Sequence, residues 1–114
     1  MIFGIGCDVC ALDHLEKSLS GPHAAAFVRR VYGPAECTAL ALDTPLPAGH
    51  SGAHRLASAA ADFAAKEAFL KAAGTGLREP FALREIEAVV GHLSLSHDGG
   101  MALAFCILET APET

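Results

Sequence analysis

Basic residues are scarce in this chain. Its 114 residues carry 8 Lys and Arg against 13 Asp and Glu, a formal charge of −5 and a pI near 5.6. Arg29 and Arg30 are the one adjacent basic pair. A phosphate backbone needs clustered Lys and Arg to release its counterions, so nucleic acid is excluded as the main partner. Long hydrophobic runs are missing too. Although 52% of the residues are hydrophobic, Gly or a charge interrupts each apolar stretch before it reaches bilayer length. No basic segment precedes the apolar MIFGIGCDV stretch, so the expectation is a soluble, cytoplasmic protein with no membrane partner. A second C-x-x-C is also wanting: Cys7 and Cys10 have this spacing, and no other cysteine pair repeats it. On a strand these two would point in opposite directions. They read as small apolar fillers, and all four cysteines as reduced thiols.

What is present suits one compact domain, long enough for a single core and too short to split. Residues 2–9, IFGIGCDV, read as a strand with Phe3, Ile5, Cys7 and Val9 on one face. Ile2, Gly4, Gly6 and Asp8 share the other, which has little side-chain bulk. A short helix is expected over Leu12 to Leu19, and another from near Pro22 through Phe27 to Val31. Gly33-Pro34-Ala35-Glu36 has the form of a third helix start, with Glu near the positive end of the dipole. Residues 43–54, dense in Pro, Gly and polar groups, read as a long loop. The major helix is expected from Ser51 or His54 to Ala73, stopped by Gly74. Glu85 to Val90 reads as a strand, and residues 92–109 as a hairpin turning at Asp98-Gly99-Gly100. The class is α+β with a small antiparallel sheet against a long Ala-rich helix.

The major helix poses the functional question. Asp62 and Lys66 fall on one edge, Glu67 and Lys71 on another, with Phe63 and Leu70 between them. A face built only for water would not need that Phe and Leu, so the charged sector reads as partly buried and in need of partners. Gly74-Thr75-Gly76 is either a plain C-cap or a turn that lets a ligand approach the backbone. Asp8 is either a turn residue or, on its glycine-rich face, a ligand for a hard cation.

Taken in order, GIGCDV, FVRRVYGPAE, FAAKEAFLKAAGTG and LSLSHDGGMALA resemble the short, trimeric class of 4′-phosphopantetheinyl transferases, the holo-acyl-carrier-protein synthases. The resemblance implies transfer of the phosphopantetheine arm of coenzyme A to a serine of an acyl carrier protein. It further implies that Asp8 and Glu67 hold Mg2+, that Glu67 accepts the serine proton, and that Lys71 reaches the phosphates with help from Lys66. Gly74, Thr75 and Gly76 would lie along the nucleotide, and Ser96 and His97 would contact its 3′-phosphate. A homotrimer would build each site between protomers.

The chain departs from the family pattern in four places. Ala11 stands where a glutamate is expected and His14 where a basic residue is expected. Asp62 takes the place of an arginine, and a single glycine separates Val90 from His92 where the family carries more chain. Two other readings stay open: a catalytically weak relative that binds carrier protein or coenzyme A, and an oligomeric scaffold whose charged helix is only an interface.

Overall fold

The computed structural model describes residues 2–44, 49–74 and 91–109, apart from the side chains of His50 and Ser51. Its elements are β1 (Ile2–Ala11), α1 (Leu12–Ser20), α2 (Ala24–Val31), α3 (Pro34–Ala39), α4 (His50–Ala73), β2 (His92–Asp98) and β3 (Met101–Glu109). The three strands form an antiparallel sheet in the order β1-β3-β2, which is the α+β arrangement expected. Two boundaries differ from expectation. The second helix starts at Ala24, beyond Pro22, and α4 starts at His50, inside the stretch read as loop. Gly49, at φ 82°, makes the entry into α4, and the alanine-rich sequence sustains the helix from there. The strand expected over 85–90 lies outside the described residues.

The sheet presents its bare face to α4. Gly4, Gly6, Asp8 and Cys10 alternate inward on β1, opposite Leu108, Cys106, Ala104 and Ala102 of β3. A Cβ on Gly4 would lie 1.9 Å from the Ala72 carbonyl oxygen, and one on Gly6 2.0 Å from that of Ala68. The helix therefore rests directly on strand backbone. Ala64, Ala68, Ala102, Ala104 and Cys106 seal this contact with no solvent exposure. The bulkier strand face points away from the helix, and Phe3, Ile5, Val9 and Phe105 are each more than half exposed. The hairpin closes through Gly99 (φ 55°) and Gly100 (φ 77°), the pair of left-handed residues that a tight two-residue connection requires.

On the other side of α4 lies the joint between α2 and α3. Val31 and Tyr32 are buried there, and the Tyr32 hydroxyl donates to the Ala59 carbonyl at 2.8 Å. Phe27 packs against both Tyr32 and Phe63, with ring centroids 6.3 and 6.2 Å apart. The helix is thus held between the joint and β1, and its edges carry the charges.

Candidate active site

Seating α4 on the glycines of β1 brings distant charges together. Lys71 Nζ donates to Asp8 Oδ1 at 2.9 Å and to the Cys7 carbonyl at 3.1 Å. The Asp8 side chain is largely covered, at 16% exposure, whereas that of Lys71 is half exposed. Glu67 lies one turn before Lys71 and within the field of Asp8. Burial raises its proton affinity, the Asp8 charge raises it further, and Lys71 offsets part of the rise. The hydrogen bond to Asp8 in turn holds Lys71 above its ordinary range, outweighing the opposing effect of its desolvation. Asp8, Glu67 and Lys71 therefore form one constellation within a single chain.

This constellation has the donor chemistry for Mg2+. It offers two hard carboxylates whose mutual repulsion a divalent cation would relieve. Among the described residues no group of three or more His, Cys, Asp or Glu converges on a metal position. Mg2+ is usually held by one or two carboxylates, with substrate phosphates and water completing its shell. Clefts of about 690 and 500 Å3 lie along α1 and α2, and none of the three residues lines either.

The other expected contacts divide. Gly74 caps α4 in the left-handed conformation at φ 77°, its N–H donating to the Lys71 carbonyl at 3.2 Å, so it sits at the same end of the helix. Thr75 and Gly76 lie outside the described residues. Ser96 and His97 are exposed on β2 and point to opposite faces. His97 shares the row of Ala102 and Cys10 on the side of Asp8, and Ser96 the row of Leu103 and Val9 on the far side.

The expectation for Lys66 is corrected. Its side chain is fully buried and donates to the Val31 carbonyl at 2.7 Å and to Glu36 Oε1. Its ammonium also stands 5.5 Å from the centroid of the Tyr32 ring. The neighbouring position on a helix is turned by about 100°, which takes Lys66 into the core while Glu67 faces Asp8. Glu36 is the residue that sequence reasoning missed in this role. It was legible only as a helix-start acid, and it does accept the Gly33 N–H at 3.0 Å.

Asp62 completes this second cluster. Burial pushes the Glu36 carboxyl up, but hydrogen bonds from Asp62, Lys66 and Gly33 hold it below its ordinary value. Asp62 goes the other way: burial, then the hydrogen bond and charge of Glu36, push it up to about 8 against the pull of Lys66. Among the described residues the buried Glu36 Oε2 has no donor, and a protonated Asp62 is a donor to the Glu36 carboxylate. The folded chain keeps that proton up to about pH 8, whereas an unfolded aspartate releases it near 3.8. The stability it contributes is complete below the lower value and is lost as pH rises toward and through the higher. Asp62→Asn carries a permanent N–H donor, so its melting temperature should fall less than that of the wild type between about pH 5 and 9. Parallel curves would reject the shared proton.

Residues 4–108 match the sequence profile of the 4′-phosphopantetheinyl transferase superfamily. The chain belongs to that superfamily. Its relatives there include the holo-[acyl-carrier-protein] synthase of Zymomonas mobilis, 31% identical over 145 aligned positions that take in 99% of this chain and 100% of the relative. The synthase of Anaeromyxobacter dehalogenans strain 2CP-1 is 35% identical, with 96% and 97% covered. Because the first alignment is longer than the chain, that transferase carries residues this one lacks. Among solved structures, the holo-(acyl-carrier-protein) synthase of Bacillus anthracis, in complex with CoA (3′,5′-ADP), superposes with a TM-score of 0.78 at 30% identity, covering 97% of this chain and 99% of that one. The synthase of Neisseria meningitidis gives 0.67 at 28%, with 96% and 100% covered. Like these transferases the chain pairs a small antiparallel sheet with a long helix, and among its described residues no helix is long and apolar enough to cross a membrane.

Proposed function

We propose that this chain transfers the 4′-phosphopantetheine arm of coenzyme A to a serine of an acyl carrier protein of fatty-acid or polyketide synthesis, in the cytoplasm, releasing adenosine 3′,5′-bisphosphate. The observation that carries the reading is the convergence of Asp8, Glu67 and Lys71 on one surface where β1 meets α4.

Asp8 and Glu67 would hold Mg2+, which when bound offsets the negative charge of the pyrophosphate. Glu67, half-buried beside Asp8, has a raised proton affinity and accepts the proton of the attacking serine hydroxyl. The serine oxygen forms its bond to the β-phosphorus as the bond to the 3′,5′-ADP oxygen breaks. The exposed ammonium of Lys71 meets the charge that the departing phosphate gains. Gly74, Thr75 and Gly76 are assigned to the nucleotide, as are Ser96 and His97.

The exposed sheet face supports a homotrimer. Phe3, Ile5, Val9 and Phe105 form an apolar surface on the far side of the sheet from α4, and packing it against a second copy would remove it from water. Ser96 lies on that same face, so a neighbouring protomer would bring groups toward the nucleotide.

The test is intact mass spectrometry of apo carrier proteins after incubation with the chain, coenzyme A and Mg2+. A carrier that gains the phosphopantetheine mass only when Mg2+ is present supports the reading. A chain that binds coenzyme A and modifies no carrier of a fatty-acid or polyketide panel is a binding module instead.

A further inference from the structure

We propose that Lys66, clamped between Glu36 and the Val31 carbonyl, is a positioning residue that sets the roll of α4 and so holds Glu67 against Asp8. The inference rests on the functional reading of Asp8 and Glu67 given above.

Three features of the geometry point to it. First, Lys66 is a fully buried cation, and such a group is retained only where its charge and donors are met. The Val31 carbonyl, the Tyr32 ring and Glu36, which meet its ammonium, come from one short segment where α2 gives way to α3, and Asp62 adds its charge from α4 itself. Second, that joint holds α4 at two points on one face. Tyr32 binds the Ala59 carbonyl and Glu36 binds Lys66, and these helix positions are two turns apart. Asp62 stands on the same face between them, against Glu36. Third, the helix positions seated on Gly4 and Gly6 are Ala72 and Ala68. At about 100° per residue Ala68 points roughly opposite to Lys66, and Glu67 lies on the edge between.

Rotation of α4 about its axis is therefore what the clamp resists, and Glu67 is the group that rotation would carry away. Side-chain ends ride about 5–6 Å from a helix axis, so a roll of about 20° sweeps a carboxylate by about 2 Å. A misplacement of about 1 Å at a reacting group can cost about 100-fold in rate. The glycine seat is filled by small side chains and offers little interlocking, whereas the Lys66 ammonium is held between two acceptors, the Val31 carbonyl and Glu36.

The test compares Lys66→Met, Glu36→Gln and the double variant in the full chain. Its readouts are melting temperature, Mg2+ binding by calorimetry without coenzyme A, and kcat and KM for coenzyme A. Either single change is expected to lower kcat by about 10- to 100-fold and to weaken Mg2+ binding by about tenfold, with KM for coenzyme A changed less than about twofold. The double variant, with no uncompensated buried charge, should regain melting temperature while its Mg2+ affinity stays low. If Lys66→Met raises KM for coenzyme A about tenfold while Glu36→Gln does not, Lys66 binds phosphate and the proposal is overturned. Recovery of melting temperature, Mg2+ affinity and kcat together in the double variant would also overturn it, leaving a purely structural pair. A crystal structure of Lys66→Met needs neither metal nor turnover. Glu67 displaced from Asp8 by more than about 1 Å supports the clamp, and an unrotated α4 refutes it. A wild-type chain that neither binds Mg2+ nor transfers the arm defeats the functional reading and leaves that structural comparison to decide the clamp.

Discussion

Gly6→Ala is expected to unfold this chain or leave it insoluble, at a cost of more than about 3 kcal/mol. The added methyl would sit 2.0 Å from the Ala68 carbonyl oxygen and 2.6 Å from the Ala72 amide nitrogen. Both are backbone atoms inside a long helix, so no side-chain rotation relieves the contact. The helix itself must lift off β1, opening the fully buried contact of Ala68 with Ala102, Ala104 and Cys106. The same movement would draw Glu67 and Lys71 away from Asp8, so any folded fraction should also lose activity. Cys7→Ala, on the adjacent and exposed position of β1, is the control, and its urea midpoint should stay close to wild type. A Gly6→Ala protein that melts with the control would show that α4 does not depend on the bare strand.

The strand, the hairpin and the Gly74 cap were legible because short-range rules determine them. Alternation places Phe3 and Gly4 on opposite faces, and a Gly-Gly pair permits a two-residue turn. What those rules leave open is which face an element meets. The bare face of β1 carried a signal, its want of bulk, that fits a ligand as well as a helix, and the fold uses it as a helix seat. The charged sector of α4 shows the same division. Phe63 and Leu70 among its charges imply burial, and Leu70 and Lys66 have no exposure. Helical spacing suggested the pairs Asp62 with Lys66 and Glu67 with Lys71. In the folded chain the ammonium groups also reach off the helix, Lys66 to Glu36 and Lys71 to Asp8. Those partners lie 30 and 63 residues away in sequence, beyond the reach of any local period. Family resemblance pointed to Asp8 and Glu67, and geometry was needed to separate Lys71, which joins them, from Lys66, which does not.

Glu67→Gln should produce opposite changes in activity and stability. Transfer is expected to fall by about 10²–10⁴-fold in kcat, because glutamine cannot accept the serine proton and supplies one charged metal donor fewer. Stability should rise. In the wild type the Glu67 carboxylate is disfavoured by burial and by the Asp8 charge, with Lys71 returning only part of the cost. A neutral amide of the same shape removes both penalties, so the melting temperature should increase at neutral pH while turnover is lost. Asp8→Asn provides the contrast. Under the proposed function it also removes a metal donor, but it takes the carboxylate from the Lys71 ammonium, so it should lose activity with little gain in stability. The two variants, compared by differential scanning calorimetry and by intact mass of the carrier product, separate a catalytic carboxylate from a supporting one. Glu67→Gln that transfers the arm at the wild-type rate would place the proton acceptor elsewhere. If that variant is inactive and also less stable, Glu67 would be a structural ion-pair partner, and the constellation at β1 and α4 would need another chemistry.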